Sequence, residues 1–301
     1  MSMKFVLSII ANPSKTPIDS ALIDEFRNAL GPYVRVGSSA KELAPAEAYD
    51  IALTEHPRPD FLPRIEAVAI RARIDANVIP VENRRKKLLI ADMDSTIIQQ
   101  ECIDELAEYA GKRKEISDIT ERAMRGELDF EGALNERVAM LAGLPESVLE
   151  ETFEKRLTLT PGARTLVETM NANGAVTALV SGGFTYFTSR IARRAGFQHQ
   201  QANELLIENG KLTGKVQMPI LGRAAKQEAL ETIAADNGVA LSETMGVGDG
   251  ANDLSMLSRS GLGVAFHAKP AVAQSAETRI HYADLTSLLY LQGYSKSEFT
   301  A

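Results

Sequence analysis

The sequence has little cysteine, histidine or tryptophan. Its 301 residues include one cysteine, Cys102, four histidines and no tryptophan. A single cysteine excludes an internal disulfide and a thiolate metal cluster, and it fits a reducing compartment. The histidines are scattered and form no helical His pair, which disfavours a histidine-rich zinc site. We therefore expect a cytoplasmic protein without a disulfide framework.

A basic excess and long apolar runs are also missing. The formal net charge is −7, whereas a nucleic-acid binder needs a basic surface. The basic cluster at residues 84–87 is typical of a solvated linker. No apolar run approaches the roughly 20 residues that span a bilayer. The short apolar start at residues 5–11 continues into Asn12-Pro13, so it predicts a first β-strand and not a signal sequence. We expect neither nucleic acid nor membrane as a partner.

The chain length predicts two domains, because ordinary domains hold about 150 residues. In residues 1–82, apolar periodicity predicts strands at 4–11, 33–36, 49–54 and 77–80 and helices at 19–30 and 61–72. This order suits an α+β ferredoxin-like domain. In element order alone it resembles ACT-type regulatory domains, although its first turn, residues 12–15, lacks the glycine that such domains often use to admit a ligand. We expect this domain either to sense an amino acid or to serve as a packing or homodimer-forming domain.

Residues 83–301 follow a different pattern, in which continuous apolar runs alternate with helical periodicity. The runs lie at 88–91, 176–180, 244–247 and 262–265. Strands of this kind are buried on both faces of a parallel sheet, which predicts a Rossmann-like α/β core. Helical patterns fill residues 98–160, far more than a crossover needs, and predict an inserted helical cap. Thr160-Pro161 predicts the start of a further helix, with an N-cap residue and proline at the first helical position. Alternation around Asn209-Gly210 predicts a hairpin over 204–217.

Polar side chains follow three of these runs. Asp92 and Asp94 come after the first run and Ser181 after the second. Asp249 and Asp253 come after the third. Because ligands bind beyond the carboxyl ends of parallel strands, we expect these side chains to converge. Acidic oxygens from two strands form a site that suits Mg²⁺.

Two further features suit a transferring phosphoryl group. The run Ser181-Gly182-Gly183 offers a hydroxyl and backbone N–H donors near a helix start, which can hold an anion. Lys226 begins a predicted helix, where its charge opposes the helix dipole. It is either an ordinary exposed lysine or a ligand for an anion. A carboxylate nucleophile, a divalent cation, a lysine and N–H donors together match phosphoryl transfer.

These motifs resemble, in kind and in order, those of the haloacid dehalogenase (HAD) superfamily of phosphohydrolases. The cap extends the match. The runs DMDST at 92–96, AMRGELDF at 123–130 and ERV at 136–138 resemble the phosphoserine phosphatase family of that superfamily. The resemblance leaves out the N-terminal 80 residues. It implies a Mg²⁺-dependent enzyme that hydrolyses O-phospho-L-serine to L-serine and phosphate through an aspartyl-phosphate, the last step of serine biosynthesis.

The resemblance also implies roles for the motif residues. Asp92 would be the nucleophile. Asp94 would protonate the serine oxygen and then deprotonate the hydrolytic water. Mg²⁺ would be held by Asp92, the backbone carbonyl of Asp94 and Asp249, with Asp253 binding a metal-ligated water or orienting Lys226. The contacts to the phosphate would come from Ser181, Gly182, Lys226 and Asn252.

Substrate selectivity is expected in the cap. Arg137 follows Phe130 by seven residues, which puts both on one face of a helix. Helix geometry alone favours a snorkelling arginine or a structural ion pair. The resemblance implies instead that Arg137 binds the substrate carboxylate, that Glu101 receives the amino group and that Phe130 walls the pocket. Without the resemblance, Glu101 is explained as a helix N-terminal acid.

Two alternative functions stay open. The same site could pass the phosphoryl group to a small alcohol such as homoserine, as a phosphotransferase. The chain could instead be an amino-acid-sensing regulatory protein with a vestigial core. The intact set of acidic residues, with Ser181 and Lys226, argues against the second alternative.

Overall fold

A computed structural model describes residues 4–12, 14–34, 39–125 and 127–300. The chain forms two compact units, Met1–Lys86 with Thr278–Ala301, and Lys87–Glu277. The sequence-based division had placed residues 278–301 with the second domain, whereas their contacts group them with the first unit. Within the described ranges, no helix is both long and apolar enough to cross a membrane.

The N-terminal part of the first unit is an antiparallel sheet with two helices. Its elements are β1 Phe5–Ile10, α1 Ser20–Leu30, β2 Lys41–Ala44, β3 Ala48–Leu53, α2 Leu62–Ala72 and β4 Asp75–Pro80. The strand order is β2-β3-β1-β4. Asp19 caps α1 by accepting a hydrogen bond from the Leu22 N–H at 2.8 Å. Apolar residues of the strands and both helices, Leu7, Phe26 and Ile65 among them, form one buried core.

The second strand of this unit is not where the sequence placed it. Gly31–Tyr33 form a 3-10 turn that Pro32 favours. Val34 makes only an isolated bridge to Leu53, and residues 35–36 lie outside the described residues. The strand is β2, whose first two residues are exposed. An edge strand that carries Lys41-Glu42 lacks the apolar signal on which the prediction relied.

The second unit holds the predicted parallel sheet. Its elements are β5 Leu88–Ala91, α3 Cys102–Ala110, α4 Arg113–Met124, α5 Phe130–Ala139, α6 Ser147–Arg156, α7 Ala163–Ala172, β6 Val176–Phe184, α8 Thr185–Ala195, β7 His199–Asn203, β8 Leu205–Glu208, β9 Lys211–Val216, α9 Arg223–Asp236, β10 Thr244–Gly248, α10 Leu254–Arg259, β11 Leu262–Phe266 and α11 Pro270–Ser275. Five parallel strands run in the order β11-β10-β5-β6-β7. Every residue of β5 and β10 is buried. The Rossmann-like core is thus confirmed.

The helices α3–α6 form an insertion between β5 and β6, called the helical insertion below. The hairpin of β8 and β9 is also confirmed. Asn209 and Gly210 have φ of 51° and 71°, the left-handed values that a two-residue hairpin turn requires. Backbone bonds from Gly143 N–H to Leu212 O and from Leu212 N–H to Leu144 O, both 2.9 Å, join the hairpin to the chain after α5.

Two local predictions in this unit differ from the structure. The strand β7 went unrecognised because its sequence, HQQAN, is polar and its first three residues are exposed. It lies at the edge of the five-stranded parallel arrangement of the second unit. The helix predicted to begin at Thr160-Pro161 begins two residues after the proline, at Ala163, behind Gly162 with φ 81°.

The C-terminal segment, with β12 Thr278–Ile280 and α12 Ser287–Leu291, packs within the first unit. The buried Asp75 carboxylate accepts backbone N–H bonds from His281, Tyr282 and Ala283 at 2.6, 3.2 and 2.9 Å. Burial raises the pKa of Asp75, and these three donors oppose that rise. The basic run 84–87 is not a fully solvated linker, because Arg84 pairs with the buried Asp50 at 2.6 Å.

Candidate active site

The turn after β5 places two carboxylates in fixed positions. Asp92 Oδ1 accepts from the Met93 N–H at 2.7 Å. Asp94 Oδ1 accepts from the Cys102 N–H, at the start of α3, also at 2.7 Å. Between them and α3 the backbone takes a left-handed step at Ser95, with φ 53°. Both carboxylates are therefore oriented by backbone donors.

The turn after β10 supplies the second acidic pair. Asp253 is fully buried, and its Oδ2 accepts from the Gly250 N–H at 3.0 Å. Asp249 Oδ1 accepts from the Thr96 hydroxyl at 3.1 Å. A Cβ at Gly248 would lie 2.3 Å from the Asp253 carboxyl carbon, so a larger residue there would displace that carboxylate.

Lys226, in the first turn of α9, joins the two acidic pairs. Its side chain is 3% exposed, and its Nζ lies 2.7 Å from Asp92 Oδ2 and 2.6 Å from Asp253 Oδ1. Burial alone would lower the pKa of Lys226, but the charges of Asp253 and Asp92 outweigh it and raise that pKa. The lysine is therefore a buried cation, and the exposed-lysine alternative is wrong.

The buried carboxylates can hold a cation. Oxygens of Asp92, Asp249 and Asp253 all lie within 4.8 Å of one another. Burial, and next the charge of Asp253, raise the pKa of Asp92 well above its usual value and that of Asp249 to about 7. Three buried carboxylates around the ammonium group of Lys226 carry more negative than positive charge when ionised. A hard divalent cation fits this oxygen donor set.

The end of β6 supplies a hydroxyl beside Asp94. The buried Ser181 Oγ donates to Asp94 Oδ2 at 3.1 Å and accepts from the Gly183 N–H at 2.8 Å. A Cβ at Gly182 would lie 2.5 Å from Phe130 Cζ, so glycine lets the helical insertion approach the sheet here.

One cavity connects these groups with the helical insertion. It is lined by the predicted residues Asp92, Asp94, Glu101, Phe130, Arg137, Ser181, Gly182 and Asn252. Of the remaining predicted residues, Lys226 bonds to Asp92 and Asp253. A carboxylate oxygen of Asp249 lies within 4.8 Å of oxygens of Asp92 and Asp253. The structure therefore brings every predicted site residue to one place, while their individual roles stay predictions.

Two ionisable side chains line the cavity from this side, Glu101 just before α3 and Arg137 on α5. Glu101 accepts a hydrogen bond from the Ser95 hydroxyl, and burial followed by the charge of Asp94 raises its pKa well above the usual value. Arg137 is 6% exposed. It donates from Nε to Ala133 O and from Nη1 to Thr120 Oγ1, each at 3.0 Å. No carboxylate of the described chain lies within ion-pair distance of Arg137, whose hydrogen bonds go to Ala133 and Thr120, so the structural ion pair is not found.

Sequence reasoning missed three contributing residues. Thr96 holds Asp249, and Ser95 holds Glu101; both stand in the DMDST run, whose hydroxyls were the available signal. Thr120 lines the cavity and contacts Arg137. It lies on an amphipathic helix where a threonine gives no signal of its own.

Comparison with known proteins identifies a family and relatives for this chain. Residues 89–258 match the family model of haloacid dehalogenase-like hydrolases. A phosphoserine phosphatase of Streptococcus thermophilus is 47% identical over 68% of this chain and 94% of its own length. One from Streptomyces coelicolor is 45% identical over 78% of this chain, which spans 57% of that relative.

Solved structures agree with the sequence relatives. A HAD-family hydrolase from Salmonella enterica serovar Typhi aligns with a TM-score of 0.84 at 31% identity, over 97% of this chain and 98% of that one. A substrate-bound phosphoserine phosphatase aligns with a TM-score of 0.66 at 42% identity, over 68% and 98%. The first alignment extends over both units, and the second over about two thirds of the chain.

Proposed function

The chain belongs to the phosphoserine phosphatases of the haloacid dehalogenase-like hydrolases, and from that membership we propose that it hydrolyses O-phospho-L-serine to L-serine and phosphate. The chain spans 57% of the length of the Streptomyces coelicolor relative. The last step of serine biosynthesis is the corresponding place in metabolism.

The observation that carries the proposal is that one carboxylate and one arginine, not paired with each other, line the cavity of Asp92. Glu101 and Arg137 line the same cavity as the Asp92–Lys226 pair. Phosphoserine carries an ammonium group, a carboxylate and a phosphate. A buried guanidinium without a carboxylate partner gains most from an anionic ligand, and Glu101 complements an ammonium. Sugar phosphates lack both charges.

The contacts of the two aspartates support different roles. Asp92, held by the Met93 N–H and by Lys226, attacks phosphorus, so that a carboxylate–phosphorus bond forms as the bond to the serine oxygen breaks. Asp94, held by the Cys102 N–H and near Ser181, gives its proton to that oxygen. It then takes a proton from the water that hydrolyses the aspartyl-phosphate. Lys226 and Ser181 would bind phosphate oxygens, with the Gly182 N–H and Asn252.

The acidic cluster supports Mg²⁺ as the cofactor. Asp92, Asp249 and the backbone carbonyl of Asp94 would hold it, and Asp253 would orient Lys226, to which it is bonded at 2.6 Å. When bound, Mg²⁺ supplies positive charge that offsets the buried carboxylates and the incoming phosphate.

We further propose that residues 1–82 form a ferredoxin-like, ACT-like domain and that the helical insertion acts as a cap. The antiparallel order β2-β3-β1-β4 supports the first assignment. Amino-acid binding or homodimer formation by this domain, and a cytoplasmic location, remain part of the proposal.

A substrate panel tests the proposed function. Phosphate release with Mg²⁺ is measured for O-phosphoserine, O-phosphothreonine, phosphoethanolamine, phosphoglycolate and glucose 6-phosphate, with and without homoserine as acceptor. We expect the highest kcat/KM for O-phosphoserine and equimolar serine and phosphate. A preference for the sugar phosphate, or phosphohomoserine in place of free phosphate, would overturn the assignment.

A further inference from the structure

Thr120 stands between the cavity arginine and a second buried acid. The side chain, on α4, is 2% exposed. Its oxygen accepts from Arg137 Nη1 at 3.0 Å. Its single proton lies within reach of two acceptors, Asp104 Oδ1 at 2.9 Å and Ile116 O at 3.0 Å. A hydroxyl that accepts a hydrogen bond from a cation and donates one to an anion links the two charges through a chain of mutually polarised hydrogen bonds.

Asp104 is the acid behind this hydroxyl. It is 9% exposed, on α3. Burial raises its pKa, while hydrogen bonds from Thr120 and Ser117 and the charge of Arg137 oppose that rise. Thr120 thus lets Asp104 stabilise the guanidinium without a direct ion pair.

The indirect arrangement leaves part of the guanidinium uncommitted. Arg137 Nε is bonded to Ala133 O and Nη1 to Thr120. For Nη2, no bond is found within the described part of the chain. A carboxylate of the chain paired directly with Arg137 would occupy the fork, that is, the two parallel N–H donors of the guanidinium that a ligand carboxylate needs. The interposed hydroxyl orients the fork and keeps its charge available.

We propose that Thr120, with Asp104 behind it, is a positioning residue that holds Arg137 for the carboxylate of the substrate. This inference rests on the proposed function, since it assumes a substrate with a carboxylate. It predicts that the Thr120 hydroxyl affects substrates according to that group and not according to their phosphate.

The test compares three single variants with the unmodified full chain. Thr120→Val removes the hydroxyl at nearly constant shape, and Thr120→Ser restores it. Thr152→Val is the matched control, because Thr152 is a fully buried threonine of the same helical insertion whose hydroxyl has no hydrogen-bond partner among the described residues. For each, KM and kcat are measured with O-phosphoserine and with phosphoethanolamine, which lacks the carboxylate.

We expect Thr120→Val to lower kcat/KM for O-phosphoserine about 10- to 100-fold, chiefly through KM, as for a lost hydrogen bond to a charged group. The kcat/KM of Thr120→Val for phosphoethanolamine should change less than about threefold. Thr120→Ser should recover most of the lost kcat/KM for O-phosphoserine. Thr152→Val should have the same kcat/KM as the unmodified chain for both substrates. An equal loss on both substrates, or no loss at all, would overturn the positioning role. If the parent chain itself fails on O-phosphoserine while hydrolysing other phosphate esters, the proposed function falls instead.

An Asp104→Asn variant separates charge from geometry. The amide oxygen can still accept from Thr120, but the buried negative charge is gone. We expect a smaller, KM-based loss on O-phosphoserine than for Thr120→Val. A loss that appears only in kcat, on both substrates, would contradict a role through Arg137.

Discussion

Replacing Arg137 by methionine should convert a selective enzyme into one indifferent to the substrate carboxylate. Methionine keeps an unbranched apolar stem in a position that is 6% exposed, so packing is largely retained while the guanidinium is lost. Since no carboxylate of the described chain pairs with Arg137, no acid is left without an ion-pair partner. The change therefore removes the interaction with the ligand, together with the hydrogen bonds of Arg137 to Ala133 O and Thr120 Oγ1.

The magnitude follows from the burial of the pair. Loss of one partner of a buried charge pair costs about 2–5 kcal/mol. This corresponds to a fall of about 30-fold to several thousand-fold in kcat/KM for O-phosphoserine. Phosphoethanolamine keeps the amino group and phosphate but lacks the carboxylate, so its kcat/KM should change little. Arg137→Lys should recover only part of the loss, because lysine lacks the planar fork.

The assay measures kcat/KM for both substrates, with thermal melts of each variant. Arg156→Met is the matched control, because Arg156 lies on α6 of the same insertion and pairs with Glu105 at 3.1 Å outside the cavity. It should leave the ratio of the two kcat/KM values unchanged. Equal losses on both substrates with a lowered melting temperature would show that Arg137 only stabilises the insertion.

Three further predictions concern the acid, the cation and the first unit. Asp94→Asn should lower kcat on O-phosphoserine by about 10²–10⁴-fold and on an aryl phosphate much less, because an aryl leaving group needs no proton; an equal defect on both would contradict the acid role. EDTA should abolish phosphate release and Mg²⁺ should restore it, whereas Ca²⁺, with its larger and looser coordination shell, should not; a metal-independent rate would refute the cation site. Asp75→Ala should destabilise the protein by about 1–3 kcal/mol, since it leaves three backbone N–H groups without their acceptor, with kcat/KM unchanged; an unaltered thermal melt would contradict this account.

The sequence was most informative where charged residues stand in positions that folding alone does not favour. An apolar strand followed by Asp92 and Asp94 can be recognised locally, because folding alone gives little reason for two carboxylates two residues apart at that point. Lys226 was recognisable for a similar reason, as a cation at the unfavourable end of a helix. The structure places all three around one cavity and its acidic cluster.

Features built from polar residues or from distant parts of the chain escaped prediction. The edge strands β2 and β7 carry exposed polar side chains, so they lack the apolar alternation of a half-buried strand. The contact of Asp75 with Ala283 joins residues 208 positions apart, and no local pattern marks it. Thr120 was equally invisible, because its significance depends on α3 and α5 meeting α4 in space.

If Asp92 carries the phosphoryl group during hydrolysis of phosphoserine, trapping that group should locate it on this residue. The full chain is mixed with O-phosphoserine labelled in its phosphate, quenched in acid within one turnover, and mapped by peptide mass spectrometry alongside Asp92→Asn. We expect a hydroxylamine-sensitive phosphoryl group on the peptide that contains Asp92, and neither label nor turnover in the variant. Continued turnover by Asp92→Asn, or label on another residue, would contradict it.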